Sequence, residues 1–165
     1  MHCPDLPTSQ KLGGSLLDHD GLMTPILLAY FGSIKVEVLQ TEVLNATTLR
    51  RVSRLHQAAT GAVILDAEMI LNTAALPRQV LIGLQDTPIP FGQLLMDAGI
   101  TARSVERQIV GLGEKDKSER RLGRRHRLVN ARTEQELCKI VETLSPLPVL
   151  LAAHEAFVVN GADHD

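Results

Sequence analysis

Two runs of strand-forming residues, RRVSRLHQ at 50–57 and AVILDAEMIL at 62–71, are separated only by Ala58, Ala59, Thr60 and Gly61. A Gly-containing connection this short makes the two runs an antiparallel hairpin. The run before them, SIKVEVLQTEV, alternates Ile34, Val36 and Val38 with Lys35 and Glu37, the period of a strand with one buried face. Chain direction should reverse between it and the hairpin, at residues 45–48. Three further runs read as strands: TARSVERQIVGL, where Val105 and Ile109 alternate with Arg103 and Arg107, then HRLVN, then LCKIVETL.

Helical segments are grouped along the chain and do not alternate with the strands. MTPILLAYFG has Thr24 as a candidate N-cap, Pro25 suited to the first helical position and Gly32 as a left-handed stop. LPRQVLIGLQ and PFGQLLMDAG each carry Pro near the start, and Gly99 is a stop for the second. LPVLLAAHEAF adds a terminal helix, with residues 160–165 as a tail. Strands in hairpin order with clustered helices predict an α+β fold with an antiparallel sheet. The 165 residues fit a single domain, with an irregular lead-in over 1–20 rich in Pro and Gly.

Composition narrows the function. Hydrophobic residues make up 44% and charged residues 22%, a globular balance. Tyr30, Phe31, Phe91 and Phe157 are the aromatic residues, which leaves few rings for stacking bases. Seven Lys or Arg fall between Glu114 and Arg127, yet Glu114, Asp116 and Glu119 dilute them and the net charge is -2, so nucleic acid is not the expected partner. Cys3 and Cys138 form no CxxC pair, which suits a reducing compartment. His2, His19 and His164 lie near the two ends beside acids or Cys and read as polar terminal residues, so no metal site is expected. No apolar run approaches the ~20 residues of a membrane span and no signal-like start is present, so the expected location is cytoplasmic.

The order of LMTPILLAYFG, LRRVSRL, AVILDAEMIL, IPFGQLL, GRRHRL and IVETLSP over residues 21–148 resembles the chorismate pyruvate-lyase (4-hydroxybenzoate synthase) family. The resemblance implies a chorismate lyase-like α+β domain, with an antiparallel sheet and flanking helices covering a buried ligand site. It implies a cofactor-free enzyme converting chorismate to 4-hydroxybenzoate and pyruvate. By position, Arg51 looks like the arginine that holds the ring carboxylate and Glu142 like the glutamate facing the 4-hydroxyl. Met23 and Phe91 fall where the family offers main-chain groups, and Arg125 is a further cation for the pyruvyl side. The segment 149–165 extends past the family's usual end.

Elementary chemistry agrees with these assignments. A dianion such as chorismate needs two cations, and arginine forks match carboxylates better than lysine does. Arg51 with one of Arg124, Arg125 or Arg127 would suffice. Alternation sends Arg125 and Arg127 to one face of their strand and Arg124, His126 and Leu128 to the other. Period two also puts Glu142 on the apolar face with Ile140 and Leu144, and a carboxylate there calls for a partner or a use. The other reading is a non-catalytic binding domain for an aromatic carboxylate, related to the effector domains of transcription regulators, whose fold is similar. The lead-in of about twenty residues is too short for a helix-turn-helix domain. The oligomeric state is left open by the sequence.

Overall fold

The computed structural model describes residues 16–112 and 121–162; Cys3, His2, His164 and the loop cations Lys115, Lys117 and Arg120 lie outside the described residues. Strands β1 (Ile34–Asn45), β2 (Thr48–Gln57), β3 (Val63–Asn72), β4 (Ala102–Leu112), β5 (Arg121–Asn130) and β6 (Glu136–Leu144) form one sheet. Its order is β1-β2-β3-β6-β5-β4, with every neighbouring pair antiparallel. The helices among the described residues are α1 (Met23–Phe31), α2 (Arg78–Asp86), α3 (Phe91–Asp97) and α4 (Leu147–Ala162), with a 3-10 turn at Thr73–Ala75. This is the expected α+β class.

All four helices share one core with one face of the sheet. Leu27 and Phe31 of α1, Val80 and Leu84 of α2, Leu94 and Leu95 of α3, and Leu150 and Ala153 of α4 are buried with Leu55, Leu65, Met69, Leu71, Ile140 and Leu144. The strand residues in that set sit at alternate positions, as a pleated sheet with one covered face requires. The opposite face carries Arg50, Arg54, Glu68, Arg125 and Lys139. Ion pairs such as Arg50 to Glu68 and Arg54 to Asp66, each 2.9 Å, cross it between β2 and β3.

Four local expectations differ from what is observed. α1 begins at Met23 with Leu22 in the N-cap position and no side-chain cap, because Thr24 is buried against α3. A register shift between Val38 and Gln40 carries β1 past the core, so Val38 is 42% exposed although Ile34 and Val36 are buried. In β4, Ala102 and Ser104 face inward; Glu106, at φ 55°, sits in a register shift between Val105 and Gln108, and Ile109 is 51% exposed. Both shifts lie on edge strands, where an extra residue disrupts the ladder and turns the edge away from further pairing. The terminal helix runs on to Ala162, and Gln57 Nε2 donates to the Phe31 and Ala153 carbonyls at 2.9 Å, joining α4 to α1. Through Leu150, Leu151 and Ala153 the helix beyond residue 148 packs into the core.

Gly92 sets how closely α3 approaches α1. A Cβ at this position would lie 2.4 Å from Thr24 Oγ1 and 3.0 Å from its Cβ, so only glycine permits the contact. Gly92→Ala is therefore expected to cost about 1–3 kcal/mol, the usual effect of overpacking. Urea unfolding should show a lower midpoint at unchanged slope; an unchanged midpoint would mean that the two helices separate freely.

Candidate functional site

Beneath the first turns of α1 and α3 lies a cavity whose wall combines apolar side chains with buried charges. Leu22, Met23, Thr24, Pro90, Phe91 and Gly92 close it from the helices, and Arg51, Met69, Ala67, Ile140, Leu128, Arg124, His126 and Glu142 line it from the sheet. The space inside is about 40 Å³, room for a few waters. Met23 and Phe91 are the first residues of their helices, and neither helix has a side-chain cap. First-turn N–H groups have no partner within a helix, so both helices begin with unused donors beside the cavity.

Arg51 projects inward from the middle of β2, where its Cα partners are Thr41 and Met69. It is 1% exposed, and neither Nε nor Nη2 has a hydrogen-bond partner. Burial draws the guanidinium below its ordinary value, but an arginine stays protonated in proteins. The result is a permanent buried cation with free donors beside the cavity.

Glu142 stands opposite Arg124 across the β5–β6 pair, and both side chains are sealed. Arg124 Nε and Nη2 reach Glu142 Oε1 at 3.0 and 2.9 Å. His126 Nε2 lies 2.5 Å from the same oxygen, and its Nδ1 lies 2.7 Å from Ser104 Oγ. With Nε2 donating to the carboxylate, Nδ1 can accept from the Ser104 hydroxyl. Burial by itself would raise the Glu142 pKa, but the His126 hydrogen bond and the Arg124 charge outweigh it and hold the carboxyl below its ordinary value. Glu142 is therefore an ionised partner of Arg124.

The structure brings Arg51, Glu142, Met23 and Phe91 to one cavity and leaves Arg125 out of it. Arg125 lies on the open face of the sheet, beside Glu68, Gln108 and Lys139. Its Cα partners are Gln108 and Val141, both on that outer face, and alternation gives the inward place to Arg124. His126 and Ser104 were not named as site residues from the sequence, and of the three arginines left open there, Arg124, Arg125 and Arg127, it is Arg124 that lines the cavity. The signal was Leu128, whose apolar side chain marks the inward parity of β5, shared by Arg124 and His126. Of the other described arginines of the basic stretch, Arg121 pairs with Asp66 at 2.8 Å and Arg127 with Glu136 at 2.6 Å. No cluster of three or more metal-ligating side chains occurs among the described residues, and none of their helices is long and apolar enough to cross a membrane.

No protein-family model and no curated protein matches the chain. Solved structures do match. The ligand-binding domain of a protein described as a GntR-family transcriptional regulator, from Bordetella bronchiseptica, has a TM-score of 0.49 at 11% identity over 78% of this chain and 87% of its own. A Bacillus subtilis protein described as a possible transcriptional regulator, YydK, gives 0.46 at 8% identity over 68% of this chain, which spans 58% of that one. The C-terminal domain of the histidine utilization repressor from Pseudomonas syringae gives 0.44 at 14% identity, covering 68% of this chain and 92% of its own.

The expectation of a chorismate lyase is corrected on these findings. The matched structures named here are described as regulators or as domains of regulators, and none as an enzyme. The site gives a physical reason of its own. Chorismate has two carboxylates, but Arg124 is committed to Glu142 and Arg125 lies outside, so Arg51 is the one uncompensated arginine among the described lining residues. Glu142, held ionised by two partners, is also a weak proton acceptor.

The sign of the Glu142 shift fixes a pH response. A depressed carboxyl contributes stability that is fully present above its ordinary value of 4.5 and is lost as pH falls through its folded value. Glu142→Gln should flatten that acid limb. It should also cost about 3–5 kcal/mol at neutral pH, because it leaves Arg124 buried without its counter-charge. Urea midpoints of both proteins between neutral and acid pH check this; parallel acid limbs would show that Glu142 does not carry the linkage.

Proposed function

We propose that this chain is a non-catalytic ligand-binding domain for a small apolar or aromatic monocarboxylate. Arg51 carries the reading: a fully buried guanidinium with two unpartnered donor nitrogens, beside a cavity whose walls are largely apolar. A buried charge without a partner is costly, and a carboxylate is the group whose geometry matches the arginine fork. Met69, Phe91, Leu128 and Ile140 supply surface for a ring or short chain. Met23 and Phe91 would offer first-turn N–H groups, and the Glu142 end would accept from a hydroxyl at the far side of the ligand. With about 40 Å³ inside, a ring enters only as the first turns of α1 and α3 part.

4-Hydroxybenzoate and benzoate are the first probes, with binding read by calorimetry and by the thermal midpoint. A ligand at a hundred times its Kd stabilises the folded state by ~2.7 kcal/mol. Arg51→Met is expected to abolish that shift while raising the midpoint of the ligand-free protein, since it replaces an unpaired buried cation by an apolar side chain of comparable volume. A lower midpoint in the ligand-free variant would assign Arg51 to structure and remove the basis of the proposal.

A further inference from the structure

Two hydrogen-bond chains leave one oxygen, Glu142 Oε1, and end on three consecutive backbone carbonyls. The first runs through Arg124: Nε and Nη2 hold Oε1, while Nη1 donates to the His19 carbonyl at 2.8 Å and Nη2 reaches that of Gly21 at 3.5 Å. The second runs from Oε1 to His126 and on to Ser104 Oγ, and the backbone N–H of Ser104 donates to the Asp20 carbonyl at 2.7 Å. Residues 19–21 are therefore tied at every carbonyl to groups that converge on the cavity carboxylate. Leu16 and Leu17 are fully buried on one side of this stretch, and on the other Leu22 and Met23 form part of the cavity wall.

We propose that Glu142 and the segment 16–22 are coupled through Arg124 and His126, so that a ligand engaging the carboxylate changes how tightly residues 19–21 are held. The guanidinium is planar and its donors are fixed in one fork. It cannot turn one edge toward a new position of Oε1 or a ligand oxygen without drawing the other edge away from the carbonyls. His126 shifts with the same oxygen and carries the change to Ser104 in β4. The segment leads directly into α1, so its release also frees the first turn that closes the cavity. The ligand-binding reading enters only as the source of the occupant; the coupling itself rests on the two chains.

Hydrogen exchange of the full chain, read by mass spectrometry across residues 18–23 and at the Ser104 amide that donates to the Asp20 carbonyl, tests it with 4-hydroxybenzoate as probe. In the ligand-free protein Glu142→Gln is expected to raise exchange there by roughly fivefold, the effect of losing about one net hydrogen bond. Saturating probe should change wild-type exchange by a similar factor. Arg124→Lys keeps a charge beside Glu142 but replaces the fork by one nitrogen, so this segment should exchange fast and no longer respond to bound probe. Ser104→Ala cuts only the His126 chain; it should raise exchange and weaken the response, and it serves if either charge variant fails to fold. Wild-type exchange in Glu142→Gln, an undiminished response in Arg124→Lys and Ser104→Ala, or probe bound by calorimetry with no change at 18–23 overturns the coupling. Failure of the wild type to bind the probe refutes the ligand reading alone, because the ligand-free arm needs no occupant.

Discussion

The pairing of Arg124 with Glu142 is the constraint on which the cavity depends. Two opposite charges face each other on neighbouring strands, sealed from solvent, and the remaining donors of the guanidinium are used on the carbonyls of His19 and Gly21. A buried ion pair is tolerable only when its other hydrogen-bonding groups are also satisfied. That requirement draws the chain ahead of α1 across the sheet and fixes where the helix starts. Thr24, which would cap a helix starting two residues later, is instead packed against Gly92, and the first turns of α1 and α3 meet over the charges. The polar layer and the roof above it are consequences of one another.

Much of the fold was legible because its signals are local. The Gly61 turn, the period-two runs and the Pro and Gly punctuation of the helices each act over a few residues, and the structure shows a hairpin, a sheet and helices at those places. The exposure of Val38 and Ile109 was not legible. Their alternation is regular in sequence, but a register shift in each edge strand takes them beyond the covered part of the sheet. Such shifts depend on how strands of unequal length fit beneath the helices, which no short window records.

The site was legible in type and only partly in position. Arg51 and Glu142 fell in strands whose inward parity could be read from Leu55 and Ile140. Arg124 and Arg125 were distinguishable only through parity with Leu128, and the two assignments have opposite consequences. An inward Arg125 would have left two cations for a dianion. The inward Arg124 neutralises Glu142 and leaves one. Arg51 could be placed in a strand, but its lack of a partner is a property of packing across β1, β2 and β3 that the sequence does not express.

Charge bears directly on the proposed ligand. Arg51 and Arg124 against Glu142 leave one net positive charge among these three lining residues. In a site of low dielectric an unmatched charge is felt far more strongly than in water, so a monoanion completes the layer and a dianion brings back an unpaired carboxylate. The protein carries the cost of the unpartnered donors on Arg51 within its core. In the proposed complex a carboxylate would relieve that cost while its apolar body filled the space between Met69, Phe91 and Ile140. Affinity would then come as much from relief of that buried, unpartnered charge as from new contact.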